Sequence, residues 1–304
     1  MGGAKRIDDE VARLTAELER LDRQTAEAAQ EIAEAARAKA LPHNWLQTPA
    51  ESRFADIPQG WAAARVLIAD LVAAVGRRID KAMAPLEDKP QPTRWERVRD
   101  YFQSASTISW MHRRTPQIAS VDQALLLSDR LHALLIPRRE RILALRHALE
   151  SDLVELTGHR GMLVEAAAGA AEQAEQEPVG MAQRVENCLQ AVQDLTAHLN
   201  RQLLEMNAAL NKLTIDSERA IVLASVLVEN GSEPRLRDVL NKSQLPHLVP
   251  LLDLQEADML SSKELERRRL RTDARFDEIF AAGGKQVLAS EPDDAAVMQG
   301  VGNA

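Results

Sequence analysis

The chain has 304 residues, 45% hydrophobic and only 3% aromatic, with a formal net charge of −8 and a pI near 5.5. That balance argues against a nucleic-acid binder working through bulk charge, and the scarcity of aromatic and β-branched residues argues against a large sheet core. The apolar mass is mostly Leu, Ala and Val among many Glu, Arg and Gln, a mixture with high helix propensity.

One cysteine, Cys188, excludes an intramolecular disulfide and a CxxC metal site, which points to a reducing, cytoplasmic setting. The N-terminal MGGAKRIDDE runs straight into charge, so no secretory leader is expected. Arg6 breaks the myristoylation pattern. No apolar run of about 18 residues occurs, so no membrane-spanning helix is expected.

Residues 5–40 carry a heptad pattern. Val11, Leu18, Thr25 and Ile32 form one seam, and Ile7, Leu14, Leu21, Ala28 and Ala35 the other. Such a stripe either packs on the chain's own body or serves as an oligomer seam through Ile7, Val11, Leu14, Leu18, Leu21 and Ile32. The self-association reading makes residues 1–40 a removable oligomerisation helix.

Residues 41–60, with Pro42, Pro49 and Pro58, read as a loop. A helix is expected over 61–84, ending near Pro85, then a polar linker at 86–93 and a shorter helix from Arg94. Seven of the nine aromatic residues fall between Trp45 and Trp110, so 41–119 reads as a small helical subdomain. The segment 94–114 mixes Trp95, Tyr101, Phe102 and Trp110 with arginines. Single-strand stacking surfaces and membrane-interface helices share that mixture, but a core for this subdomain explains it as well.

Ser120–Gln123 matches a capping box and predicts a helix start. Pro137 predicts a kink or break with a restart. From there Ile142, Leu145, Leu149, Leu153, Leu156 and Leu163 continue a helix to about Gln176. Residues 177–180 (Glu-Pro-Val-Gly) are read as a turn. The next helix has the clearest seams: Val185, Val192, Leu199, Met206 and Leu213, with Leu189, Thr196, Leu203 and Leu210. It should end at Asn230–Gly231. A long antiparallel hairpin with its return segment thus occupies 120–252. A C-terminal helix covers 253–282, and 283–304 reads as a tail. The expected fold is all-α: an elongated bundle built on the hairpin, with a coiled-coil-like N-terminal helix.

Chemistry is sparse. No GxxxxGK[ST], GxGxxG, GxSxG or HExxH occurs. Asp129 and His132 have the spacing for one metal ion, but two ligands do not make a site. Cys188 lies beside the apolar seam, where a structural role fits better than a thiolate. No catalytic residue, cofactor or metal is expected. Arg138, Arg139 and Arg141, and Arg267, Arg268, Arg269 and Arg271, are candidate contacts for an anionic partner; paired, solvated arginines are the plainer reading. The run 220–228 is the most apolar, yet too short to span a bilayer.

These features point to a non-enzymatic scaffold or adaptor that docks a protein partner along the hairpin, with possible contacts to itself. The alternative is a membrane-acting helical protein that exposes apolar surface on rearrangement.

Overall fold

A computed structural model describes residues 2–37, 54–87, 106–169, 177–227, 241–243 and 262–286. Five helices carry the fold: α1 (Gly2–Arg37), α2 (Asp56–Glu87), α3 (Ser106–Gly169), α4 (Glu177–Leu227) and α5 (Ser262–Gln286). There is no strand among the described residues. The expectations for 38–53, 88–105, 228–240, 244–261 and 287–304 lie outside the described residues, as do Trp45, Trp95, Tyr101 and Phe102 of the aromatic subdomain.

α3 and α4 form the most extensive pair, and α2 touches α1, α3 and α4. Ser128 faces Ser217, Arg138 faces Gln202 and Arg160 faces Glu186, so the hairpin is antiparallel. α3 is described to Gly169 and α4 from Glu177, so the expected turn residues 177–180 are not the turn. Those residues instead open α4, because proline at position 178 lies in a first turn, where its missing N–H leaves no bond unmade.

Other expectations are overturned. Residues 56–60, read as part of a loop, are helical and open α2, with Pro58 in the first turn. α3 is already helical at Ser106, so Ser120–Gln123 caps nothing. The Ser120 hydroxyl donates instead to the Arg78 carbonyl at 3.1 Å, and Arg78 donates to the Gln123 carbonyl at 3.3 Å, tying α2 to α3. Pro137 does not interrupt α3. The proline and Ala133, whose carbonyl loses its partner, are both exposed, so the missing bond falls on the solvent side of the helix. Leu135 and Arg138 on either side are buried and hold the turn in place. α5 also continues through Gly283 and Gly284 to Gln286.

α1 runs parallel to α3: Asp8 meets Arg130 and Asp22 meets Arg138. Its stripe is spent on the chain's own core. Leu14, Leu18, Leu21 and Ile32 are buried, and Ile7 and Val11 pack against the same cluster. α2 crosses α1 closely at Gly60, where an added Cβ would lie 2.9 Å from Leu21 Cδ2. By contrast, nothing lies within 4 Å of a Cβ at Gly158, on the exposed side of α3. Gly158→Ala is therefore expected to stabilise by about 0.5–1 kcal/mol through helix propensity. Gly60→Ala is expected to destabilise, because the buried Leu21 side chain must move. Parallel urea titrations give both signs; a stabilised Gly60→Ala protein would contradict the α1–α2 packing.

Candidate functional site

Through the largely apolar bundle interior runs a chain of polar contacts that reaches all five helices. Arg138 of α3 lies at its centre, only 2% exposed. It forms an ion pair with Asp22 of α1 and donates to the Leu18 carbonyl at 3.2 Å and to Gln202 Oε1 of α4 at 3.0 Å. Its guanidinium lies 5.9 Å from the ring centroid of Trp61 on α2. Trp61 Nε1–H donates to Glu205 Oε2 of α4 at 2.6 Å, and Arg65 of α2 stands 3.3 Å from the other oxygen. The Arg65 guanidinium in turn sits 5.6 Å from the Phe280 ring of α5.

Two smaller polar groups flank this chain. On one, Ser217 Oγ donates to the Leu213 carbonyl at 2.8 Å and lies 2.7 Å from Ser128 Oγ. The one Ser217 proton is thereby used, so Ser128 is the donor between the two hydroxyls. His132 Nδ1–H donates to the Ser128 carbonyl at 2.9 Å, so the ring is buried and turned along its own helix. No group of three or more metal-ligating side chains occurs among the described residues, so Asp129 and His132 gain no third ligand from them. On the other, Arg219 joins Asp216 (3.0 Å) to Asp80 (2.7 Å), and Lys212 pairs with Asp273 of α5.

Burial sets the protonation tendencies. It pushes the Glu205 carboxyl above the usual glutamate range, opposed by the Trp61 hydrogen bond and the positive charges of Arg65 and Arg201. Asp216 is raised by burial too, against Lys212 and Arg219. Arg138 is lowered by burial, against Asp22. A carboxyl whose folded pKa is raised binds its proton earlier in the folded chain than in the unfolded one. Its contribution to stability therefore grows as pH falls through the folded pKa, and is complete below the unfolded value. Glutamine at 205 cannot titrate. The stability of the wild type relative to Glu205→Gln is expected to improve from pH 7 to about pH 4. Urea titrations at both pH values test this; a gap that stays constant or widens against the wild type refutes it.

The arginine clusters divide by helix face. Arg138 is not an anionic-partner contact: its anion is Asp22 of the same chain, buried beside it. Arg139 is half-buried, and Arg141 is exposed but shares Asp22. Arg268 turns inward to Glu218 at 3.0 Å, and Arg269 binds Glu266 at 3.0 Å. Arg267 and Arg271 face outward, Arg267 standing 3.7 Å from Glu264. Most of the candidates are thus occupied by internal carboxylates. Cys188 of α4 is fully buried in the core. Of the apolar run at 220–228, Ala220, Ile221 and Leu223 are core residues. No described helix is long and apolar enough to cross a membrane.

Arg138 and Glu205 are both almost fully buried. The polar chain suits the task of fixing how five apolar faces meet. An apolar stripe alone tolerates slippage, whereas an arginine that needs a carboxylate from α1 and an amide from α4 accepts one register.

Sequence reasoning missed this site, though its trace is visible. Leu131, Leu135, Ile142, Leu149 and Leu156 keep a heptad rhythm, and Arg138 and Asp152 fall in the same rhythm. A charge in an apolar slot was the available cue. Which carboxylate answers Arg138, 116 residues away, was not written in the local pattern.

Comparison with known protein-family models, curated proteins and solved structures finds no match.

Proposed function

We propose that the protein is a non-enzymatic scaffold or adaptor that docks a protein partner along the outer part of its α3–α4 hairpin. The observation that carries this is the hairpin's reach. α1 ends at Arg37, whose charge acts on Asp152. Beyond that level α3 continues to Gly169, about 17 residues or 25 Å further, paired among the described helices with α4. This outer part exposes large apolar side chains, Val154 at 72% and Met162 at 61%. A rigid body that holds a two-helix arm in fixed orientation is the design of a spacer with a docking face. The buried Cys188 suits a reducing compartment, which supports a cytoplasmic location.

A photo-crosslinking residue at position 154 or 162, compared with one at the exposed Val66 of α2, tests the reading in lysate of the source cells. Protein adducts are expected from the arm positions and not from position 66. Equal labelling from all three would refute an arm-specific surface. Co-sedimentation with anionic vesicles would instead favour the membrane-acting alternative.

A further inference from the structure

The helix least firmly built into the bundle is α5, and its attachment is separate from the arm. α5 lies along α4 in antiparallel sense, with Arg268 at Glu218 and Asp273 at Lys212. Its buried apolar contribution is small: Leu265, Phe276 and Ile279, with Phe280 stacked on Phe276 at 4.2 Å between centroids. Much of its remaining hold is electrostatic. Lys212 pairs with Asp273 and sits 5.8 Å above the Phe276 ring, Arg268 pairs with Glu218, and Arg65 faces Phe280.

The chain between α4 and α5 is far longer than this seating needs. With Arg268 opposite Glu218, Ser262 lies at the level of the last turn of α4, so a reversal of roughly 2–8 residues would suffice. The sequence provides 34 residues between Leu227 and Ser262, a contour of about 110 Å. That contour is long enough to carry α5 to the α4 of a second copy.

We propose that α5 is an exchangeable clasp, which leaves α4 as a unit and seats in the same groove of a second copy, joining two chains reciprocally. The groove complements one segment above all others: the carboxylate of Asp273 for Lys212, a guanidinium for Glu218, a ring for Arg65. A second copy brings that same segment. Exchange keeps every described contact of α5, and it is opposed by the entropy of association. The ion pairs lie at partly exposed edges, and about 1 M salt shortens the screening length to roughly 3 Å, which promotes opening.

The test uses the full chain. Lys212→Cys and Asp273→Cys proteins are mixed, taken through 1 M sodium chloride, returned to low salt and oxidised. A covalent dimer is expected on a non-reducing gel. A mixture of Val66→Cys and Asp273→Cys is the out-of-register control and should stay monomeric. Unmodified protein taken through the same salt cycle should show a species of doubled mass by light scattering. Unmodified protein that stays monomeric at every stage overturns the proposal. So does crosslinking of the Val66 control as strong as that of the matched pair. Neither result bears on the arm, whose crosslinking is read without α5.

Discussion

Arg138→Ala is expected to lower the free energy of unfolding by about 3–5 kcal/mol, the range for removing one partner of a buried ion pair. The substitution empties one of the largest fully buried side-chain volumes in the chain. It also leaves the Gln202 amide oxygen without this donor, takes the second donor from the helical Leu18 carbonyl and removes one of two cations from Asp22. The neighbouring Arg141→Ala is a useful comparison. Its side chain is 61% exposed and shares the same carboxylate, so its loss should cost less than about 1 kcal/mol. Urea unfolding of the two variants measures the contrast directly. Equal effects would mean that Arg138 is not buried as described. A protein with Arg138→Met and Asp22→Leu together should recover part of the loss, because no isolated charge is left inside.

Removing residues 1–40 is expected to cost the protein its cooperative thermal transition. Leu14, Leu18, Leu21 and Ile32 are all buried in the bundle. At roughly 1.5–3 kcal/mol each, their burial contributes about 6–12 kcal/mol before chain entropy is counted. That is comparable with the whole stability of an ordinary domain, about 5–15 kcal/mol. The truncated chain should bind a hydrophobic dye and melt broadly. Leu21→Ala, which empties the position facing Gly60, should cost about 2–5 kcal/mol without abolishing the transition. Calorimetry beside light scattering separates this from the other reading of the stripe. A truncated chain that melts as sharply as the full one, at half the particle mass, would show that the stripe joins copies instead.

The helices themselves were largely legible. Val185, Leu189, Val192, Leu199, Leu203, Met206, Leu210 and Leu213 were read as seams and are buried. Periodicity reports which face of a helix is apolar, and that survives folding. What it could not report was how many neighbours α4 has. Cys188, Ala191, Leu195 and Ala209 are buried as well, because α2, α3 and α5 all pack on this helix. Local punctuation misled where tertiary contacts outweighed it. Ser120 has the form of a cap but is held inside α3 by the Arg78 carbonyl, and Pro137 sits on a wet face where its defect is tolerated. The arginine runs were legible only as charge. Which of three consecutive guanidiniums turns inward depends on carboxylates supplied by distant helices.

The contacts that close the bundle also set an order of events during synthesis. Trp61 finds its acceptor 144 residues downstream at Glu205, and Asp22 finds Arg138 after 116. At roughly 5–20 residues per second, Trp61 waits about 7–30 s for its partner to be made. Until α3 emerges, α1 and α2 have only each other among the described helices, meeting where Leu21 crosses Gly60. Their inner faces stay uncovered until α3 and α4 emerge and fold back. A nascent chain halted near residue 180 should therefore engage holding chaperones that the finished protein no longer attracts.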